Sequence, residues 1–402
     1  VLCDACGSAT LVEFAELGDI PVLCGVHWAS ATEAAESPVG RMTMGYCPNC
    51  AYVRNVAFDP ALMVYDTTMD TNLHFSPAFQ AFSAELVGHL SGRFALKGKR
   101  ILDIGCGQGE FLRELCHVSG ATGVGYDAMY AGPPGPDPSG ATFHSGLTPR
   151  GSALPEFDVF TSRHWFEHLA DPFDFLADLR AQTGDRPVHG YIEVPDAVYD
   201  LATAGWEVIY PHVSYFDAYS LCRIVERAGW HVEATGTYFS GMFRYIEVSA
   251  NVPSSAPSPS VPSSSVPSSS VPSSSVPSGL PSLADRDRQL AAIDGFGPRH
   301  HAERDRWRDT IASLERPVLW GAGSRGVQFL TFADPDRSLS AVVDLNPRKW
   351  GRYLPVTAHR VDPPATLTDL QPTAVIITNP AYRSEIAAQL TALGVTADLL
   401  VA

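Results

Sequence analysis

Short apolar runs recur along the chain and divide it into segments of different texture. Between residues 56 and 251, runs such as ILDIG (101–105), TGVGYD (122–127) and YIEVP (191–195) alternate with stretches of helical period such as EFLREL (110–115). Runs of this length between helical stretches predict strands of an α/β unit. The same alternation returns near the C-terminus, in RPVLWGAGSRG (316–326), LSAVVDLN (339–346), TAVIITN (373–379) and ADLLVA (397–402), after two charged helical stretches over 283–314. A second, smaller α/β unit is expected there. Residues 1–55 differ from both, with short apolar alternations broken by Cys and Gly. Between the two α/β units, residues 252–282 repeat VPSSS, with nothing to bury and prolines that oppose regular structure. The expected organisation is 1–55, 56–251, a linker over 252–282, and 283–402.

Charge narrows the function. The 402 residues carry 44 acidic and 28 basic side chains, a formal net charge of -16, with no long basic run. A phosphate-backbone partner is therefore not expected. No stretch approaches the roughly 20 apolar residues of a membrane span, and the opening VLCDACGS lacks a basic, then apolar, leader pattern. The sequence reads as a cytoplasmic protein with a small-molecule substrate, no nucleic-acid partner and no membrane.

Of eight cysteines, four form two CxxC pairs, Cys3/Cys6 and Cys47/Cys50, separated by 40 residues. Two such knuckles supply the four thiolates of a tetrahedral zinc site. Four buried free thiols are the alternative, and Cys24 with His27 forms a second pair of ligand spacing.

KRILDIGCGQGEFLREL (99–115) reads as strand, glycine turn and helix, with Gly105, Gly107 and Gly109 letting the backbone pass close to a ligand. A second strand ends in Asp127, where a carboxylate can accept ribose hydroxyls. A second fingerprint, Gly321, Gly323 and Gly326 followed by Asp344, matches GxGxxG after a strand. Taken alone it reads as an NAD(P) site; Arg325 suggests a substrate phosphate as readily.

The pattern around ILDIGCGQGEFL resembles class I S-adenosylmethionine-dependent methyltransferases. Together with SRHWFEHLADP, YIEVPDAVYDL, YPHVSYF, VLWGAGSRGVQFL and VVDLNPRKWGRYLP, it resembles the three-part C-methyltransferase family acting on nucleotide-linked deoxysugars. The fold class so implied is α/β: a class I methyltransferase Rossmann-like domain, an N-terminal zinc-binding region and a C-terminal Rossmann-like domain. The resemblance implies S-adenosylmethionine and Zn2+ as cofactors, and a small, nucleotide-sugar-like substrate of secondary metabolism. Cofactor contacts are expected from Asp103, Gly105, Gly107, Gly109, Asp127 and His164, and metal ligation from Cys3, Cys6, Cys47 and Cys50. Proton handling is expected from His212, Tyr210, His168 and Tyr65. Two positions depart from the family: Pro211 stands where it has Glu, and Met69 where it has a second Tyr.

Several readings stay open. His212 is either a site residue or a histidine packed into structure. His164 and His168 are one turn apart if helical, a metal-pair spacing with no third ligand evident. Glu193 faces the cofactor or caps a turn. Methyl transfer to oxygen or nitrogen is the alternative chemistry, since those nucleophiles need less base strength than a C–H bond. A protein that binds S-adenosylmethionine without transferring its methyl, and a bifunctional methyltransferase and ketoreductase dependent on NAD(P)H, are the remaining alternatives.

Overall fold

The computed structural model describes residues 2–8, 10–148, 151, 153–251 and 281–402. The expected linker therefore lies, over 252–280, outside the described residues. Three sheets carry the described chain.

The central sheet has eight strands. Reading across it from one edge, the order is His231–Tyr238, Phe243–Ala250, Val188–Pro195, Val159–Arg163, Arg100–Ile104, Thr122–Asp127, Ala141–Ser145 and Gly135–Pro136. The five strands from Val188–Pro195 to Ala141–Ser145 run parallel, and Phe243–Ala250 joins Val188–Pro195 antiparallel. Counted in chain order without the two-residue edge strand, this is 3-2-1-4-5-7-6, the class I methyltransferase arrangement of a Rossmann-like sheet. Connections leave in opposite directions on either side of the Arg100–Ile104 and Val159–Arg163 pair, so a crevice opens at their carboxyl ends.

The local reason is visible in the first βα unit. In helix Glu110–Ser119, Phe111, Leu112, Leu115, Cys116 and Ser119 are buried, the i, i+1, i+4, i+5, i+8 stripe of an amphipathic helix. The helix starts after Gly109 (φ 85°) and stops at Gly120 (φ 72°), both left-handed positions that favour glycine. Each Leu or Phe so buried contributes about 1.5–3 kcal/mol relative to exposure.

The C-terminal sheet is fully parallel, in the order Val361–Asp362, Ala341–Val343, Pro317–Trp320, Ala374–Ile377, Asp398–Val401. Every residue of Pro317–Trp320 and Ala374–Ile377 is buried, as both-face coverage requires. Ahead of it, helices Leu283–Asp294 and Phe296–Ser313 occupy the charged stretch, the first opened by a Ser282/Asp285 capping box.

The third sheet is antiparallel and joins sequence-distant pieces. Val12–Pro21, Val39–Tyr46 and Val53–Asn55 are completed by Ser214–Tyr215, which belongs to the central segment of the chain. The segment carrying His212 is thereby tied to the N-terminal region. Among the described residues, no helix is long and apolar enough to cross a membrane.

Candidate active site

A cavity of about 630 Å³ lies at the carboxyl ends of Arg100–Ile104 and Val159–Arg163 and extends to the C-terminal sheet. One wall is the glycine turn. Gly105 (φ 75°) donates its N–H to Tyr126 O, and a Cβ there would stand 2.4 Å from the Trp165 ring. A Cβ at Gly109 would stand 2.5 Å from Phe143. The turn is therefore a cradle that only glycine builds, opening the helix N-terminus of Glu110–Ser119 toward the cavity.

Asp127 is buried beside this cradle. Its Oδ2 accepts from Gly107 N at 2.8 Å and its Oδ1 from Met129 N at 2.7 Å. It holds the turn in shape and keeps a second lone pair on each oxygen for a ribose. Asp103 accepts from Thr161 Oγ1 at 2.6 Å, and burial pushes its carboxyl up to about 6. Met129, Leu147 and Thr148 extend this wall. The expected cofactor residues Asp103, Gly105, Gly107 and Asp127 thus come together, with Gly109 behind them capping the helix.

His164 also lines the cavity but serves a different partner. It sits at φ 51°, strained for a non-glycine residue, with Nε2 3.1 Å from Glu193 Oε1 and its ring 4.4 Å from Phe243. Glu193 is fully buried and bound by Arg163 and Tyr191. Burial opposes its ionisation, yet Arg163 and His164 hold the carboxyl down at about 2. Glu193 therefore anchors the loop after Val159–Arg163 and is absent from the cavity lining. The segment Phe166–His168 is a short 3-10 turn, so His164 and His168 do not stand one α-turn apart.

The facing wall is built by that turn and by residues 209–213. Val213 N donates to Glu167 O at 2.9 Å, and Asn55 N donates to Val213 O at 3.0 Å. These bonds pin the His212 segment between the 3-10 turn and the N-terminal sheet. His168 Nδ1 is 2.8 Å from Pro211 O and 3.3 Å from Tyr65 Oη. A carbonyl only accepts, so Nδ1 carries the proton and Nε2 keeps its lone pair. Burial holds His168 down at about 4; burial, then the neighbouring His168 and His164, hold His212 well below the usual range. Both rings are neutral at neutral pH.

Glu167 completes this wall and carries a signal that its sequence position alone did not reveal. It is 1% exposed, and neither carboxylate oxygen takes a hydrogen bond. Burial, with Glu207, Glu193 and Asp200 nearby, pushes its carboxyl well above the usual range. Pro211 and Met69 line the cavity as well.

One expected catalytic residue is corrected. Tyr210 is fully buried away from the cavity. Its hydroxyl accepts from Asp59 N at 2.9 Å and donates to Asp59 O, and its ring closes on Phe58 and Gly40. It secures the N-terminal sheet, because the chain turns at 209–212, with His212 N donating to Ile209 O at 3.1 Å, and the turn separates its side chain from that of His212.

Cys3, Cys6, Cys47 and Cys50 converge with all four sulfurs within 4.8 Å of one another. The Cys3–Cys50 and Cys6–Cys47 separations are 3.6 and 3.7 Å, close to the ~3.8 Å edge of a tetrahedron with ~2.3 Å Zn–S bonds. The donor set fits zinc. Cys24 and His27 stand elsewhere: Cys24 lines the cavity, and His27 Nε2 is 3.1 Å from Ala322 O.

The C-terminal glycine turn reaches the same cavity, with its Gly321 and Ala322 N–H groups taken. Ala322 N donates to Asp344 Oδ2 at 2.7 Å, while Lys349 Nζ bridges Asp344 Oδ2 and Ala322 O. Arg325 donates to Thr378 O and lies 3.5 Å from Glu207 and 3.8 Å from Asp200.

Family models match two segments of the chain. A family model described as a methyltransferase domain matches residues 78–235, and one described as the C-methyltransferase C-terminal domain matches residues 289–398. Similar solved structures include an S-adenosylmethionine dependent methyltransferase from Mesorhizobium loti, 17% identical over 41% of this chain and 96% of that one, with TM-score 0.34. Another is the magnesium protoporphyrin IX methyltransferase from Synechocystis with bound S-adenosylhomocysteine, 15% identical over 43% and 83%, TM-score 0.33. A third is the 1,6-didemethyltoxoflavin-N1-methyltransferase from Burkholderia thailandensis, 16% identical over 43% and 78%, TM-score 0.31. No curated protein matches significantly. With a methyltransferase domain matched over the central sheet and a C-methyltransferase C-terminal domain matched behind it, the chain is an S-adenosylmethionine-dependent methyltransferase.

Proposed function

We propose that the protein methylates a carbon atom beside a carbonyl in a small, nucleotide-linked keto-deoxysugar or a closely related molecule. The observation that carries this reading is the cavity itself, with the glycine cradle on one wall and Tyr65, Glu167, His168 and His212 on the other. S-Adenosylmethionine on the cradle would supply the electrophilic methyl. Loss of a proton from the acceptor carbon builds negative charge on its carbonyl oxygen, and the facing wall supplies lone pairs and a hydroxyl where that charge and proton must be handled. The match of residues 289–398 to the C-methyltransferase C-terminal domain supports carbon as the nucleophile. Cys3, Cys6, Cys47 and Cys50 would hold a structural zinc, since four thiolates leave no open coordination position. Metal analysis that found the folded protein free of zinc would remove that assignment.

A second reading has its own observation. Each basic side chain lining the cavity is already paired: Arg163 with Glu193, Arg325 with Asp200 and Glu207, and Lys349 with Asp344. That pairing favours an acceptor without a diphosphate, for which methyl transfer to oxygen or nitrogen is the alternative chemistry. One experiment separates the two: incubation with methyl-13C S-adenosylmethionine and keto-deoxysugar nucleotides, then carbon NMR of the product. A new C–C bond is expected; a label on oxygen or nitrogen, or no transfer despite cofactor binding, overturns carbon methylation.

A further inference from the structure

Three side chains on the acceptor wall remain unexplained by hydrogen bonding alone. Glu167 and His168 come from the 3-10 turn after Val159–Arg163, and His212 comes from the segment tied to the N-terminal sheet. One ligand atom from each, a Glu167 carboxylate oxygen and a ring nitrogen of either histidine, falls within 4.8 Å of the others, and all three residues line the cavity.

The distances exclude direct bonding between the acid and the ring. Glu167 Oε1 is 4.0 Å from His212 Nε2, too long for a hydrogen bond. It is also within the span available to two ligands that each lie ~2.0–2.2 Å from one shared ion. Both Glu167 oxygens are buried without a donor, an arrangement that is costly for an isolated carboxylate. A cation between the three side chains removes that cost.

The orientation of His168 is an independent sign. Its Nδ1–H is directed at the Pro211 carbonyl, which fixes the tautomer and leaves Nε2 with a lone pair. Metal-bound histidines are held this way, with the second ring nitrogen donating to a backbone carbonyl or carboxylate. Two histidines and one carboxylate are a donor set known to leave further coordination positions open, and at 4.0 Å the Glu167 and His212 atoms would stand at a wide angle across a shared ion.

We infer that Glu167, His168 and His212 bind a divalent transition-metal cation on the acceptor side of the cavity, with its open positions directed at oxygens of the acceptor. The site is separate from the four-cysteine cluster in chemistry as well as in place: nitrogen and oxygen ligands here, sulfur there. Its role rests on the methyltransfer reading above. A cation there polarises the acceptor carbonyl, holds the negative charge that develops on its oxygen and, by lowering the pKa of a water on another open position, supplies the base that the metal-bound histidines then do not.

Mn2+ distinguishes this site from the thiolate cluster, because it favours oxygen and nitrogen ligands over sulfur. The test is Mn2+ titration of the chelator-dialysed full-length protein, followed by electron paramagnetic resonance, without cofactor or acceptor. Wild type should take up about one Mn2+, and Glu167→Gln and His212→Gln should each weaken uptake by at least about 10-fold. Calorimetric binding of S-adenosylhomocysteine reports whether each variant is folded. No uptake by wild type, or uptake unchanged in both folded variants, overturns the site. Because no methyl transfer is measured, that failure leaves the carbon-methylation reading standing, and failure of carbon methylation leaves the metal result standing.

Discussion

The two glycine turns of this protein follow the same local recipe, line the same cavity and differ in the charged side chains packed beside them. Gly105, Gly107 and Gly109 follow a buried strand and open a helix, and so do Gly321, Gly323 and Gly326. In the first, Asp127 stiffens the turn from outside and the cavity stays open beside it. In the second, Asp344 takes the Ala322 N–H, Lys349 closes over both, and Arg325 is engaged by acids of the central domain. The lesson is that a glycine fingerprint specifies a backbone able to receive a ligand, while neighbouring side chains, a lone Asp127 carboxylate beside one turn and an Asp344–Lys349 pair beside the other, decide what that ligand would meet. The second turn is used for holding the C-terminal domain to the central one, alongside bonds such as Gln328 Nε2 to Val208 O and Asn346 Nδ2 to Asp70 Oδ2.

This contrast can be broken from either side. The largest effect is expected at the open turn: Gly105→Ala puts a Cβ at a left-handed φ and 2.4 Å from Trp165. It should weaken S-adenosylhomocysteine binding by roughly 10- to 100-fold, the cost of strain of that kind. Gly323→Ala, where nothing lies within 4 Å of the new Cβ and φ is -89°, should leave calorimetric affinity unchanged; an equal loss at both turns would end the distinction.

On the facing wall, His212→Ala should lower turnover by about 10²-fold with cofactor affinity retained. A near-normal rate, once the acceptor is identified, would return His212 to a packing role. At the occupied turn, Asp344→Ala leaves the buried Lys349 ammonium unpaired and should destabilise the protein by about 3 kcal/mol, read as a lower Tm. Were Asp344 instead holding open a nucleotide site, the variant would change NAD(P)H binding; none is expected in wild type or variant by fluorescence titration.

The smallest effect is on pH dependence. Burial depresses His27 and His168 to about 4 in the folded state, against about 6.5 unfolded. Below pH 6.5 the unfolded chain protonates these rings while the folded chain does not, so they subtract stability as pH drops from 6.5 toward 4, whereas buried acids with raised carboxyls such as Asp103 add it. The readout is therefore a difference: on acidification across that window His27→Gln should lose less Tm, or gain more, than wild type, and parallel profiles would show that the His27 ring is not buried as described.

The elements that were legible in the sequence are those whose cause is local. The strand, turn and helix of ILDIGCGQGEFL follow from an apolar run, glycines at left-handed positions and a 3.6-residue stripe, all within 20 residues. The CxxC pairs were legible because each knuckle is set by its own spacing, and the sulfurs duly converge. Tyr210 was misread because its sequence neighbour His212 faces the cavity, and nothing in YPHV states which side of the segment is buried against Phe58. Glu167 drew attention only as part of HWFEH; its unpartnered oxygens depend on what packs around them.

Residue order alone thus determined the periodicities, the glycine cradles and the supply of four thiolates, since each depends on interactions within a turn or two of chain. Tertiary structure decided which groups share a cavity. His212 reaches the site because Ser214–Tyr215 pairs with a strand 160 residues earlier (Ser214 with Arg54), and Arg325 of the second glycine turn is engaged because Asp200 and Glu207 arrive from the central segment. Contacts of that separation are set by packing and long-range pairing, whose energies belong to the assembled fold and leave no periodic trace in the chain.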